Sequence, residues 1–110
     1  MLSHLGGALP ALVGRIDDGD RVFRSPQTKV KSPQSRYFKM MYLDGASFYK
    51  LALRCALDFW GPDKILLGSD YPCGWVDELS RCIKVMEQFD LEGNEIEMIL
   101  NRNATRILRL

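Results

Sequence analysis

Lys64-Ile65-Leu66-Leu67-Gly68-Ser69-Asp70-Tyr71-Pro72 is the stretch on which the fold turns. Ile65-Leu66-Leu67 is continuously apolar and too short for a helix, and it follows a long helical pattern, so it reads as a buried parallel strand rather than a half-exposed hairpin strand. Asp70 then lies just beyond the carboxyl end of that strand, ahead of a Pro72-Cys73-Gly74-Trp75 loop. Strand ends of this kind are where α/β barrel enzymes keep their chemistry.

Upstream, Phe48, Leu51, Ala52, Cys55 and Phe59 share one face of a predicted helix, with Ser47 as its cap and Gly61-Pro62 as its stop. Tyr37 to Leu43 is aromatic and apolar enough for a short strand closed by the turn signal Asp44-Gly45. Ser25 to Ser35, rich in proline and serine, keeps neither periodicity and reads as a loop. Near the start, Leu9, Leu12, Val13 and Ile16 follow helical spacing after Pro10, and Asp17-Asp18-Gly19 loosens it. Before that helix, Met1-Leu2-Ser3 is the stub of a strand that ends at His4 and Gly6-Gly7. Downstream, Leu79, Cys82, Ile83 and Met86 predict one helix, and Ile96, Ile99 and Leu100 a last one, followed by Asn101-Arg102-Asn103 and an apolar tail.

The pattern is α/β with three parallel strand ends. A complete eight-stranded barrel takes about 250 residues, so 110 residues are well under half of one. An open three-stranded sheet is the alternative. Fifteen Lys and Arg against fourteen Asp and Glu, for a net charge of +1, give no field that favours nucleic acid or an anionic membrane. No apolar stretch approaches the roughly 18 residues of a membrane span. Cys55, Cys73 and Cys82 are odd in number and lack C-x-x-C spacing, which points to a reducing, cytoplasmic setting rather than a disulfide framework.

Two side chains stand out for chemistry. His4, the only histidine, can act as a general acid or base near neutral pH, and the glycines after it let a substrate approach. It also reads as an exposed histidine near a terminus. Asp70 can bind a divalent metal as a hard oxygen ligand or accept a proton, and equally can cap a turn before Pro72. Arg15 can clamp a carboxylate with its planar fork, and is otherwise a solvated surface arginine. Phe48, Phe59, Tyr42 and Trp60 read as core or interface, not as a base-stacking surface.

Ser3-His4-Leu5-Gly6-Gly7-Ala8-Leu9-Pro10, Gly14-Arg15-Ile16, Tyr42-Leu43-Asp44, the 64–72 stretch and Asn103-Ala104, in this order and spacing, resemble the metal-dependent amidohydrolase superfamily. Within it they resemble the branch of aminocarboxymuconate-semialdehyde decarboxylase and related decarboxylases. The resemblance implies that residues 1–110 are one partial domain, about strands six to eight and their helices, of a distorted (β/α)8 TIM barrel. By that resemblance His4 activates a metal-bound water and moves a proton. Asp70 ligates the metal, most often zinc and in some members manganese. Arg15 binds a substrate carboxylate across the interface of a homodimer of the full-length protein. The implied reaction is non-oxidative decarboxylation of an unsaturated or aromatic carboxylic acid, with hydrolysis as its nearest neighbour. Because the family's His-x-His pair and a further histidine have no counterpart here, the chain is expected to be a fragment that is inactive alone, or a non-catalytic remnant serving as an interaction module.

Overall fold

Three short extended segments run in parallel in the computed structural model, which describes residues 1–23, 29, 33–47, 49–73, 77–89 and 91–110. The central one, β1 (Leu43–Asp44), pairs with β2 (Ile65–Leu66) in the register Leu43 to Ile65 and Asp44 to Leu66. On the other side Leu2 forms a parallel bridge to Leu43, through Leu2 N–H to the Tyr42 carbonyl and Asp44 N–H to the Leu2 carbonyl, both 2.8 Å. Leu43 and Ile65 are fully buried, as a parallel strand covered on both faces requires. Gly45 continues the ladder by donating to the Leu66 carbonyl at 2.7 Å, and a Cβ at this position would sit only 2.7 Å from that oxygen. The glycine is what lets the two strand ends approach. The predicted α/β order with three strand ends is therefore present.

The strand expected from Tyr37 to Leu43 is shorter than its composition suggests. Tyr37 and Phe38 belong to a helical turn, α2 (Gln34–Phe38), and only Leu43–Asp44 is extended. A tertiary contact overrides local propensity here: the Trp60 indole N–H donates to the Phe38 carbonyl at 2.7 Å and ties the end of α2 to the core. Part of the 25–35 stretch lies outside the described residues, and its last two, Gln34 and Ser35, are helical.

The first helix, α1 (Leu9–Phe23), runs straight through Asp17-Asp18-Gly19. Side-chain contacts sustain it: Asp17 accepts the Ser35 N–H of α2 at 2.8 Å, and Arg21 reaches Asp18 at 3.4 Å. One interior glycine costs only about 1 kcal/mol, too little to stop a helix so supported. None of its residues is fully buried, and Leu12 of the expected core stripe is half exposed.

In α3 (Lys50–Trp60) the buried residues are Leu53, Ala56 and Trp60. Leu51 and Cys55, expected inside, are exposed. This helix carries apolar residues on every side, so its periodicity admits two stripes, and packing under β1 selects the one through Leu53. Ser47 does not cap it, because Tyr49 occupies the N-cap position and no side chain caps the first turn. The stop is as expected: Gly61 takes φ +84° and donates to the Leu57 carbonyl at 2.9 Å. A turn over Pro62–Lys64 leads into β2.

Cys82, Val85 and Met86 of α4 (Glu78–Met86) are buried, while Leu79 is exposed. The last helix is one continuous run. It starts as α5 (Gly93–Glu97), capped reciprocally by Glu92 and Glu95, widens to a π-helical turn over Met98–Arg102 and ends as α6 (Asn103–Leu108). The widened turn has a use, since the Ile99 carbonyl accepts the Leu67 N–H at 3.0 Å and so binds the end of β2. Buried Asn103 donates both amide hydrogens, to the Pro62 and Ile65 carbonyls, each at 2.8 Å. The core joins Leu5, Leu43, Leu53, Trp60, Ile65, Met86 and Ile99, from the first turn, β1, α3, β2, α4 and the π-helical turn. No helix among the described residues is long and apolar enough to cross a membrane.

Candidate functional site

His4 and Asp70 leave their strands through left-handed backbone. Their φ values are +51° and +57°, in a region that costs a non-glycine residue of order 1–3 kcal/mol. Around His4 the turn continues through Leu5, Gly6 and Gly7, all at positive φ. Two anchors hold it: the Leu5 side chain is buried in the core, and Gly6 lies so close to Trp60 that a Cβ there would meet the indole ring at 2.9 Å.

The turn brings His4 and Asp70, 66 positions apart in the chain, to one place. His4 Nε2 is 3.9 Å from Asp70 Oδ1, with 55% and 37% of the respective side chains exposed. An ion pair this open is worth at most about 1 kcal/mol, so the proximity serves little purpose as a structural clamp. The other ring nitrogen is engaged more closely. His4 Nδ1 is 3.0 Å from the Ala46 carbonyl, which can only accept, so Nδ1 carries hydrogen. In the neutral ring Nε2 then presents a lone pair toward a carboxylate oxygen. Nε2 and the Asp70 carboxylate are thus placed to share a proton or a cation.

Asp44 was legible in the sequence as a turn former and as part of the Tyr42-Leu43-Asp44 piece of the resemblance, with no role assigned, yet it bonds the Ala46 N–H and packs on Gly68 in the loops that lead to these two groups. Its Oδ1 accepts the Ala46 N–H at 2.6 Å, and its carboxylate fills the space where a side chain on residue 68 would be, 2.2 Å from an added Cβ. The available signal was aspartate's habit of bonding the backbone two residues on. Behind the same loops the buried Cys82 thiol lies 3.5 Å from both the Gly45 and the Gly68 carbonyls.

Arg15 is not brought to this pair. It is exposed on α1, lining a shallow groove with Asp18, Val22 and Phe23. Also on α1, the Asp17 carboxyl is held below its usual range by its hydrogen bonds to the Ser35 side chain and backbone, against a small opposing effect of burial. Among the described residues no three His, Cys, Asp or Glu side chains cluster to hold a metal. One carboxylate and one imidazole do not make the four-ligand set of a zinc site, so these residues fit a metal only as part of a larger shell.

Parallel strands joined by helices, with a histidine and an aspartate beyond their carboxyl ends, define this as an α/β protein. The amidohydrolase family model matches residues 1–110, and the chain belongs to that family. Decarboxylases are among its relatives. The chain is 29% identical over 108 residues to Decarboxylase yanB of Aspergillus niger, covering 94% of this chain and 29% of that protein. Among solved structures it resembles the apo IDCase of Metarhizium anisopliae, at TM-score 0.79 and 28% identity, over 98% of this chain and 33% of that one. It is equally close in shape, at TM-score 0.79 and 26% identity over 99% of this chain and 33% of that one, to dihydroxybenzoic acid decarboxylase of Polaromonas, solved with manganese and the inhibitor 2-nitroresorcinol. The chain thus spans about a third of the length of these relatives.

Proposed function

We propose that residues 1–110 are the carboxyl-terminal portion, about strands six to eight, of an amidohydrolase-type (β/α)8 barrel, and that they carry one side of the active site of a metal-dependent carboxy-lyase. The observation that supports this best is the meeting of His4 and Asp70 at 3.9 Å beyond the two parallel segments that flank β1. The decarboxylase relatives supply the reaction class, and the Polaromonas structure, with its manganese and nitroresorcinol, supports a divalent metal and an aromatic carboxylic acid as substrate. Manganese has that support, and zinc is the second candidate.

In this proposal Asp70 is one metal ligand, and the remaining ligands come from outside these residues. A bound divalent cation would contribute electrophilic charge near the substrate oxygens. His4, hydrogen-bonded through Nδ1 to the Ala46 carbonyl, accepts a proton from solvent on its Nε2 lone pair and, as the imidazolium, delivers that proton to the carbon that loses its carboxylate, returning to the neutral Nδ1–H ring. The C–C bond breaks, its electron pair takes up that proton, and CO2 leaves. Arg15, without an ion-pair partner among the described residues, is available to bind a carboxylate at an interface with a second copy. The odd cysteine count without C-x-x-C spacing is the ground for proposing a cytoplasmic setting.

The test is CO2 release from hydroxybenzoic acids by the manganese-loaded protein that contains this chain together with the other ligands. His4→Ala is expected to lower kcat about 10²–10⁴-fold. Asp70→Ala should remove both bound metal and turnover, and Arg15→Ala should raise KM. Cleavage of an ester or amide without CO2 would make the protein a hydrolase, and turnover untouched by His4→Ala and Asp70→Ala would make these residues a non-catalytic module.

A further inference from the structure

We propose that Asp44 is a positioning residue which, through the backbone of Ala46, holds His4 as the Nδ1–H tautomer with its Nε2 lone pair turned to Asp70. A relay of two hydrogen bonds carries the effect. Asp44 Oδ1 accepts the Ala46 N–H at 2.6 Å, and the Ala46 carbonyl accepts from His4 Nδ1 at 3.0 Å. The loop between them has little freedom. Gly45 N–H is bound to the Leu66 carbonyl and Ser47 N–H to the Gly45 carbonyl, both at 2.7 Å. Ala46 itself is 3% exposed, so neither its N–H nor its carbonyl can turn to bulk water when a partner is lost.

The surroundings show why a short side chain ending in an acceptor oxygen is needed. Its carboxylate is packed against Gly68, where an added Cβ would come 2.2 Å from Oδ1 and 2.8 Å from Cγ, so the same side chain that aims the Ala46 carbonyl also sets the path of the loop leading to Asp70. Cys82 closes the back of that contact, with its thiol 3.5 Å from the Gly45 and Gly68 carbonyls. Which imidazole nitrogen carries hydrogen is decided by the partner of the other. Imidazole in water favours the Nε2–H form, and that form would turn an N–H, not a lone pair, toward Asp70. Asp44 thus selects the form able to accept a proton on the side where His4 meets Asp70. The catalytic meaning of this selection rests on the role proposed for His4, whereas the tautomer itself does not.

In the protein that contains this chain, selective ¹⁵N-histidine labelling and the signals lost in His4→Gln assign the His4 nitrogens, His4 being the only histidine of the 110 residues. Two-bond ¹⁵N–¹H correlation spectra, recorded without metal or substrate well above the ordinary imidazole pKa of about 6.5, report the tautomer directly. The Nδ1–H form should be the majority in the wild type and in Asp44→Asn, whose amide oxygen can accept the same N–H, and the minority in Asp44→Ala. A wild-type ring that is mainly Nε2–H overturns the proposal. So does Asp44→Ala that keeps a native-like amide spectrum and the Nδ1–H majority. If Asp44→Ala does not fold, Asp44→Glu, which keeps the charge and displaces the oxygen, is judged by the same two outcomes. Because no turnover is read, a failed decarboxylase assignment and a failed relay give separate results.

Discussion

Asn103 shows how one polar side chain can hold a loop to a strand. It is 1% exposed, and its two amide hydrogens satisfy the Pro62 and Ile65 carbonyls on either side of the turn entering β2. Replacing it with alanine removes both bonds; the Pro62 carbonyl keeps the Ile65 N–H, so the cost is about 1–3 kcal/mol for the Ile65 carbonyl losing its side-chain partner. Asn103→Ala is therefore expected to lower the urea midpoint by that free energy divided by an unchanged m-value, and an unchanged midpoint would mean that water reaches the Ile65 carbonyl. His4 and Asp70 belong to a different group of residues. Their left-handed backbone opposes folding, and it persists because Leu5 and the Gly6–Trp60 contact secure one turn while Asp44 packs under the other.

At the scale of elements, α3 is the decisive case. Its amphipathic stripe was expected through Leu51 and Cys55, but Leu53 is 2% exposed and Leu51 59%. Leu53→Ala should destabilise the fold by about 2–5 kcal/mol, whereas Leu51→Ala should fall within about 0.5 kcal/mol of wild type. Equal losses in chemical denaturation would restore the original stripe. Helix boundaries were legible where local chemistry sets them, as at Gly61-Pro62, and were not where distant contacts do. The Phe38 carbonyl bound by Trp60 and the Asp17 carboxylate bound by Ser35 each extend or create helix at a position whose neighbours in sequence argue against it.

For the molecule as a whole, the count of ligands governs behaviour. Asp70 and His4 supply two donors at most, and no larger cluster occurs among the described residues. The 110-residue polypeptide, dialysed after exposure to manganese or zinc, is expected to retain less than a stoichiometric amount of metal by elemental analysis; one equivalent retained would show a complete site. The sequence by itself determined the α/β order, the three parallel strand ends, the amidohydrolase resemblance and the candidate pair His4 and Asp70, because short apolar strands, glycine stops and residues at strand ends are local signals. Only the tertiary structure decided which stripe of α3 is buried, that Tyr37 and Phe38 are helical, that Arg15 stands apart from the pair, and that Asp44 links the two loops. Those outcomes depend on atoms far apart in the chain: a hydrogen bond from Trp60 to Phe38, a carboxylate seated on Gly68 and a carbonyl of residue 46 meeting the ring of residue 4. No periodicity records such contacts.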